Sequence, residues 1–156
     1  MTPRQRRYVS QESVVGAVIS AVLSIVFVLL VFGRIDRVPL LGSHGLIVDA
    51  VPQGFAIALM ATLVPKMLTK RRLILGKVEP ITGRMKPRLH MPTLRLLIVA
   101  TMGAGLTVAA TSLPLLSGIK FVNLTIVVVA KALWGMTLGA AFAAASTRET
   151  LLNFDD

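Results

Sequence analysis

Four long apolar runs dominate the pattern of hydrophobic and polar positions along the chain. They cover positions 13–33, 46–68, 94–114 and 122–146. A helix rises about 1.5 Å per residue, so about 20 apolar residues cross the roughly 30 Å hydrocarbon core of a bilayer, and each run reaches that length. The pattern therefore predicts an all-α membrane protein of four transmembrane helices, arranged as two hairpins in one bundle.

The second apolar run is the least regular of the four. It contains Asp49, Pro52, Gln53 and Pro65, and a proline inside a helix removes a backbone hydrogen bond. In one interpretation the helix begins near Asp49, with that carboxylate as the N-cap. In the other it begins near Ser43 and bends at Pro52. The sequence leaves both interpretations open.

The fourth apolar run contains a charged residue, Lys131. A lysine near the centre of a membrane helix costs roughly 2.5 to 3.5 kcal/mol on insertion scales, so it normally has a partner or a watery cavity. Lys131 follows Asn123 by eight positions, which places it about 12 Å from the start of the helix. Gly135 and Gly139 lie on the same stripe and permit close helix contact, so we expect Lys131 to face another helix. The alternative is a side chain that extends to the headgroups by itself.

The second and third helices contain polar groups at the depth of Lys131. Asp49 is the single acid within a predicted span, and Gln53 lies one turn further along the same face. Thr107 and Thr111 of the third helix fall in the same half of the membrane. The sequence therefore predicts an intramembrane polar cluster of Asp49, Gln53, Thr107, Thr111 and Lys131. Such clusters mark ion and substrate routes in transporters, and the alternative is a purely structural ion pair.

Trp134 lies one turn beyond Lys131 and is expected to pack inside the bundle. A cation–π contact with the Lys131 ammonium is one possible arrangement. The arrangement that we favour is core packing, with the indole N–H donated to a threonine or serine hydroxyl.

Small residues repeat at every fourth position and predict the faces on which the helices pack. Such spacing lets helix backbones approach each other closely in a membrane. The predicted packing residues are Gly16, Ser20, Ser24, Gly103, Gly135 and Gly139. Because a bundle of this size buries little surface by itself, we expect a homo-oligomer or a larger membrane complex.

The two hairpins also raise the question of an internal duplication. An alignment of the first hairpin on the second that pairs Phe55 with Trp134 also pairs Leu59 with Leu138. In sequence this apolar, a few such matches arise by chance. Duplication is therefore a hypothesis that the sequence alone leaves open.

The net charge of +10 is concentrated in the predicted loop 69–93 and its borders. From Lys66 to Arg95 there are nine basic residues and one acid, and three arginines precede the first span. The other two connectors contain only two basic residues and one basic residue, respectively. By the positive-inside rule, both termini and this loop face the cytoplasm, in the inner membrane.

The basic loop serves as a topology signal, and it also suits anionic lipid headgroups. The residues expected at headgroups are Lys70, Arg71, Arg72, Arg84, Lys86 and Arg88. Nucleic acid is not an expected partner, because no aromatic residues interleave the charges.

No set of residues typical of catalysis occurs in the sequence. It contains no cysteine and two histidines, and it lacks metal-ligand spacing, a Gly-x-Ser-x-Gly turn and a phosphate-binding loop. We therefore expect no enzyme activity, cofactor or metal.

Two functions remain. The first is a permease or transporter-like unit that moves a cation, proton or small polar solute. The second is a non-catalytic accessory or scaffold subunit of a membrane complex. The accessory subunit would contact anionic lipid or a partner through the basic loop.

Overall fold

A computed structural model describes residues 1–42, 45–81 and 92–152, with side chains in the last range from residue 94 onward. This part of the chain contains four long α-helices: α1 (Pro3–Phe32), α2 (Leu46–Ile74), α3 (Pro92–Ser112) and α4 (Leu124–Leu152). A short 3-10 helix (Leu113–Ser117) continues α3. All four long helices are long and apolar enough to cross a membrane. The prediction of a helical protein with four candidate membrane spans is confirmed.

Three of the four helices extend by more than one turn beyond the predicted apolar runs. The first begins at Pro3, because Thr2 and Gln5 form a reciprocal capping box and proline suits the first helical position. The second continues to Ile74 and the fourth to Leu152. The first residues of the predicted loop 69–93 are therefore helical, and its segment 82–91 lies outside the described residues.

The second helix begins at Leu46, after Gly45 as N-cap. Asp49 lies in the first turn, near the positive end of the helix dipole, and is not the N-cap. Both Pro52 and Pro65 lie inside the helix. The expectation of an N-cap at Asp49 is therefore not met, and the alternative start, Ser43, lies outside the described residues.

Helices α1 and α4 pack closely in opposite directions through small residues. A Cβ atom added to Gly139 would lie 2.6 Å from the backbone oxygen of Gly16 and would also meet Ser20. A Cβ atom on Gly135 would lie 2.9 Å from the backbone oxygen of Ser20 and would collide with Ser24. The glycines are required here because any side chain would push the two backbones apart.

Helices α2 and α3 repeat this contact. A Cβ atom added to Gly103 would lie 2.9 Å from the backbone oxygen of Gly54 and would collide with Ala58. A Cβ atom on Gly54 would meet the side-chain oxygen of Thr107 at 2.5 Å. The third helix therefore packs on the second as the first packs on the fourth.

Two short strands connect the hairpins at one end of the bundle, which we name the strand end. They are β1 (Arg37–Pro39) and β2 (Phe121–Asn123), and they pair antiparallel. Two reciprocal hydrogen bonds flank them: the Leu40 amide donates to the Lys120 carbonyl, and the Leu124 amide donates to the Asp36 carbonyl, both at 3.0 Å. An apolar core at this end contains Val28, Phe32, Val38, Leu40, Leu46 and Val127. We name the opposite end, which leads into the basic loop, the loop end.

The contacts relate the two hairpins by an approximate two-fold axis along the helices. Gly16 of α1 corresponds to Gly103 of α3, and Gly54 of α2 corresponds to Gly139 of α4, because each pair of helices meets at the matching glycines. At the strands, Leu40 corresponds in the same way to Leu124. Parallel repeats about such an axis occur in transporters.

The alignment that pairs Phe55 with Trp134 does not relate these contacts. It would place Gly54 on Leu133 instead of on Gly139. The reason is that it matches runs of similar hydropathy and not the small residues at the helix interfaces.

Candidate functional site

Lys131 lies at the interface of α4 and α2, where its side chain is 6% exposed. Its Nζ donates to Asp49 Oδ2 at 2.5 Å and to Gln53 Oε1 at 2.5 Å. Asp49 and Gln53 are one helical turn apart, so both side chains reach one ammonium from the same face of α2. The structure thus places Lys131 against a neighbouring helix.

The ion pair is buried on both sides, since the Asp49 side chain is 8% exposed. Burying a charge away from water is costly unless an opposite charge lies close and the remaining polar atoms are hydrogen-bonded. Gln53, itself buried, supplies a second acceptor for Lys131. The arrangement therefore stabilises both charges together and neither one alone.

The ammonium of Lys131 has one hydrogen-bond donor more than this arrangement uses. A lysine ammonium carries three N–H donors, of which Asp49 and Gln53 accept two. Within residues 1–42, 45–81 and 92–152, no acceptor accounts for the third. One donor of a nearly buried cation is therefore available to a further group.

A cavity of about 270 Å³ lies next to Lys131, between α3 and α4 at the strand end. We name it the strand-end cavity. Its wall consists of Leu46, Ala110, Thr111, Pro114, Val122, Ile126, Val127, Ala130, Lys131 and Trp134. Lys131 is the single ionisable residue of this wall, so the cavity combines apolar surfaces with one cation.

Thr107 and Thr111 form no hydrogen bond with Asp49, Gln53 or Lys131. The Thr107 hydroxyl donates to the Gly103 carbonyl at 2.8 Å and accepts from Trp134 Nε1 at 3.3 Å. Thr111 donates to the Thr107 carbonyl at 2.6 Å and lines the cavity. The predicted polar cluster thus forms two groups: Asp49, Gln53 and Lys131 between α2 and α4, and the Thr107–Trp134 bridge between α3 and α4. The indole contact is the packing arrangement that the sequence favoured.

A second cavity, of about 290 Å³, lies between α3 and α4 at the loop end. We name it the loop-end cavity. Its wall consists of Thr62, Leu63, Lys66, Arg95, Leu96, Val99, Phe142, Ala145, Ser146 and Glu149. Arg95 and Glu149 form an ion pair across it. Ser146 fixes α4 to α2 beside it, because its hydroxyl donates to the Thr62 carbonyl at 2.6 Å.

The two cavities lie along the same cleft between α3 and α4 but do not merge. On α4 the strand-end cavity reaches Trp134 and the loop-end cavity begins at Phe142, which corresponds to about 12 Å along the helix. The Thr107–Trp134 hydrogen bond joins α3 to α4 at the inner edge of the strand-end cavity.

The equivalent side of the bundle, between α1 and α2, is filled at the loop end. Tyr8 and Thr69 share a hydrogen bond of 3.1 Å, and Arg72 pairs with Glu12 at 2.5 Å. The Arg72 guanidinium also lies 5.3 Å from the centre of the Tyr8 ring. The sequence did not point to this group, because its members are far apart in the chain and Glu12 precedes the first apolar run.

The predicted headgroup residues divide into three sets. Lys70 and Arg71 are exposed at the loop end of α2. Arg72 is occupied by Glu12 and Tyr8. The remaining residues, Arg84, Lys86 and Arg88, lie outside the described part of the chain.

The polar site occurs once and not twice. The alignment that places Gly54 of α2 on Gly139 of α4 takes Asp49 to Trp134. The same alignment relates Lys131 to Leu46. The two hairpins thus share their packing residues but differ at the charges, so the packing repeat by itself does not account for the ion pair.

No group of three or more histidine, cysteine, aspartate or glutamate side chains that suits a metal ion occurs in the described ranges. No family model matches the chain, and neither a curated protein nor a solved structure matches it. The interpretation of the site therefore rests on its own geometry.

Proposed function

We propose that the protein is a small inner-membrane permease that moves a cation, proton or small polar solute along the cleft between α3 and α4. The observation that carries this proposal is the position of Lys131, which is buried in an ion pair and also lines a cavity. Ionisable residues inside membrane helices are costly and usually belong to ion or substrate routes.

A purely structural ion pair needs no access to a cavity. Here the ammonium retains a donor after Asp49 and Gln53 have been satisfied, and the cavity beside it has room for a small molecule. A solute that accepts this donor would contact the one ionisable side chain of the wall. This favours a binding role for Lys131 over a role in helix packing alone.

The distribution of basic residues supports a loop end in the cytoplasm. Lys70 and Arg71 are exposed at the end of α2, and the N-terminal arginines lie at the start of α1, at the same end. The positive-inside rule then assigns both termini to the cytoplasm. In this orientation the strand-end cavity faces outward and the loop-end cavity inward.

Transport by this bundle requires a passage between the two cavities. The Thr107–Trp134 hydrogen bond connects α3 to α4 at the floor of the strand-end cavity. Breaking this bond and separating the two helices would join the cavities, while closure at the other end would prevent a continuous leak. Such exchange of access between two sides is the usual mode of membrane transporters built from repeats.

The test is a flux measurement in proteoliposomes that contain the purified protein. Protons, Na⁺, K⁺, glycine and lactate are supplied in turn, and the variants Lys131→Met and Lys120→Met are compared with the natural protein. Lys120 is an exposed lysine outside the helices and serves as the matched control. We expect flux of at least one solute, lost in Lys131→Met and kept in Lys120→Met. Folded Lys131→Met protein with unchanged flux would refute the role of Lys131, and no flux of any solute would refute the permease.

An accessory subunit that contacts anionic lipid is the second candidate, and the exposure of Lys70 and Arg71 supports it. Each basic residue near an anionic surface contributes about 1 kcal/mol. Replacing both by glutamine should weaken binding to anionic liposomes and reduce copurification of a larger complex or of further copies of the chain. Unchanged lipid preference and copurification would exclude this role for the two residues.

A further inference from the structure

The charged residues that line the two cavities indicate the charge of the solute. We propose that the solute is a small monocarboxylate with an apolar body, whose carboxylate binds the Lys131 ammonium in the strand-end cavity. This assignment rests on the proposed permease and names the class of molecule that it moves.

The sign of the charge follows from the wall of the strand-end cavity. Lys131 is its single ionisable residue, and the third ammonium donor has no acceptor in the described part of the chain. A carboxylate oxygen fits this donor, because charge-assisted hydrogen bonds to carboxylates are among the strongest that proteins form. A cationic solute would instead approach the Lys131 ammonium, the one charged group of the wall.

The size and the apolar body follow from the rest of the wall. The cavity of about 270 Å³ is many times larger than the roughly 10–15 Å³ that one water requires, so it has room for a small molecule. Leu46, Ile126 and Val127 offer apolar surfaces on which a small hydrocarbon group would pack. A carboxylate attached to a short chain or a single ring therefore matches both volume and chemistry.

The loop-end cavity presents the same kind of chemistry. Lys66 lines it without a carboxylate partner among the described residues, whereas Arg95 and Glu149 neutralise each other. Thr62 also lines it, and its buried hydroxyl has no hydrogen-bond partner within the described ranges. The strand-end cavity thus offers the unused donor of Lys131, and the loop-end cavity offers Lys66, so both suit an anion entering or leaving.

Asp49 competes with the solute carboxylate for the Lys131 ammonium. Its carboxylate already holds the Lys131 ammonium, so a second carboxylate must share that cation or take the place of Asp49. Removing the Asp49 charge should therefore strengthen binding of the anion, and removing Lys131 should abolish it. A purely structural ion pair predicts neither result.

The experiment uses Trp134, the one tryptophan of the chain, as a reporter inside the strand-end cavity. Its fluorescence is followed in the full-length purified protein during titration with cyclohexanecarboxylate, cyclohexanecarboxamide and cyclohexylmethylammonium, which share a saturated ring and differ in charge. We expect saturable binding of the carboxylate, with the amide and the ammonium weaker by about tenfold or more. Lys131→Met should lose this preference and Lys120→Met should keep it.

If Lys131→Met does not fold, the double variant Asp49→Asn/Lys131→Met replaces it and should also lose the preference for the carboxylate. Asp49→Asn provides a further, independent arm. We expect it to bind the carboxylate about tenfold more tightly than the natural protein does. Equal or tighter binding of the ammonium or the amide, absence of saturable carboxylate binding, or unchanged or weaker carboxylate binding in Asp49→Asn would overturn the assignment. Lys131-dependent flux of a solute other than a carboxylate would support the permease and refute only the carboxylate assignment. Carboxylate binding without flux of any solute would refute the permease.

Discussion

Removing either charge of the Asp49–Lys131 pair should cost much more stability than removing both. The two side chains are 8% and 6% exposed, and their atoms lie 2.5 Å apart. Lys131→Met leaves a buried carboxylate without its cation, and Asp49→Asn leaves a buried ammonium without its anion. Each variant therefore retains one charge that neither water nor an opposite charge compensates.

The expected magnitudes follow from the burial of the pair. Breaking a buried ion pair by removing one member costs about 3 to 5 kcal/mol. In the double variant Asp49→Asn/Lys131→Met, no charge is left, and the main loss is the hydrogen bond to Gln53, about 1 kcal/mol. The double variant should thus be roughly 2 to 4 kcal/mol more stable than either single variant.

The assay is reversible unfolding by sodium dodecyl sulfate in mixed micelles, followed by far-UV circular dichroism. Lys120→Met and Asp36→Asn are matched controls, since they delete the same groups at exposed positions outside the helices. Both controls should change stability by less than about 0.5 kcal/mol. Single variants as stable as these controls, or a double variant less stable than both singles, would refute the buried pair.

Three further predictions concern packing and orientation. Gly139→Ala should destabilise the bundle by about 1 to 3 kcal/mol in the same unfolding assay, because its Cβ would collide with α1. Gly105→Ala is the control: Gly105 has open space around it, so this variant should be neutral or slightly stabilising. Tyr8→Phe should cost about 1 kcal/mol, since it removes a buried hydroxyl hydrogen bond, and an unchanged midpoint would contradict that contact. Because the chain lacks cysteine, Leu116→Cys and Lys77→Cys can be labelled individually. A membrane-impermeant maleimide should label Leu116→Cys in intact cells and Lys77→Cys only after permeabilisation, and the reverse pattern would overturn the proposed orientation.

The helices and the central contact were accessible to sequence reasoning for a simple physical reason. In a membrane, long apolar runs must be helical, so depth along a helix follows directly from residue number. Asp49 and Lys131 fall at similar depths, and a buried charge needs a partner; the structure places them in contact. Trp134 likewise has its indole N–H on a threonine.

Other features depend on information that hydropathy does not contain. The α1 extension begins with a cap at Thr2, ahead of the apolar run, so the run alone places the start too late. The contact between Glu12 and Arg72 joins distant positions of the chain across two helices. The cavities arise from the spacing between α3 and α4, which no local pattern specifies.

The register of the repeat is another feature that hydropathy does not specify. Hydropathy is similar at many offsets in an apolar chain, so the pairing of Phe55 with Trp134 is as plausible as others from the sequence alone. The packing fixes the offset through a few small residues, such as Gly16 with Gly103 and Gly54 with Gly139. Close approach of backbones, and not hydropathy, is what the two hairpins share.

The most direct test of the central claim is flux through the double variant Asp49→Asn/Lys131→Met in proteoliposomes, normalised to folded protein. This variant removes both charges, so it should regain most of the stability that either single variant loses. If Lys131 binds the solute, flux should stay at the level of empty liposomes although the protein is folded. Flux equal to that of the natural protein would show that the ion pair only holds α2 and α4 together, and it would contradict the account.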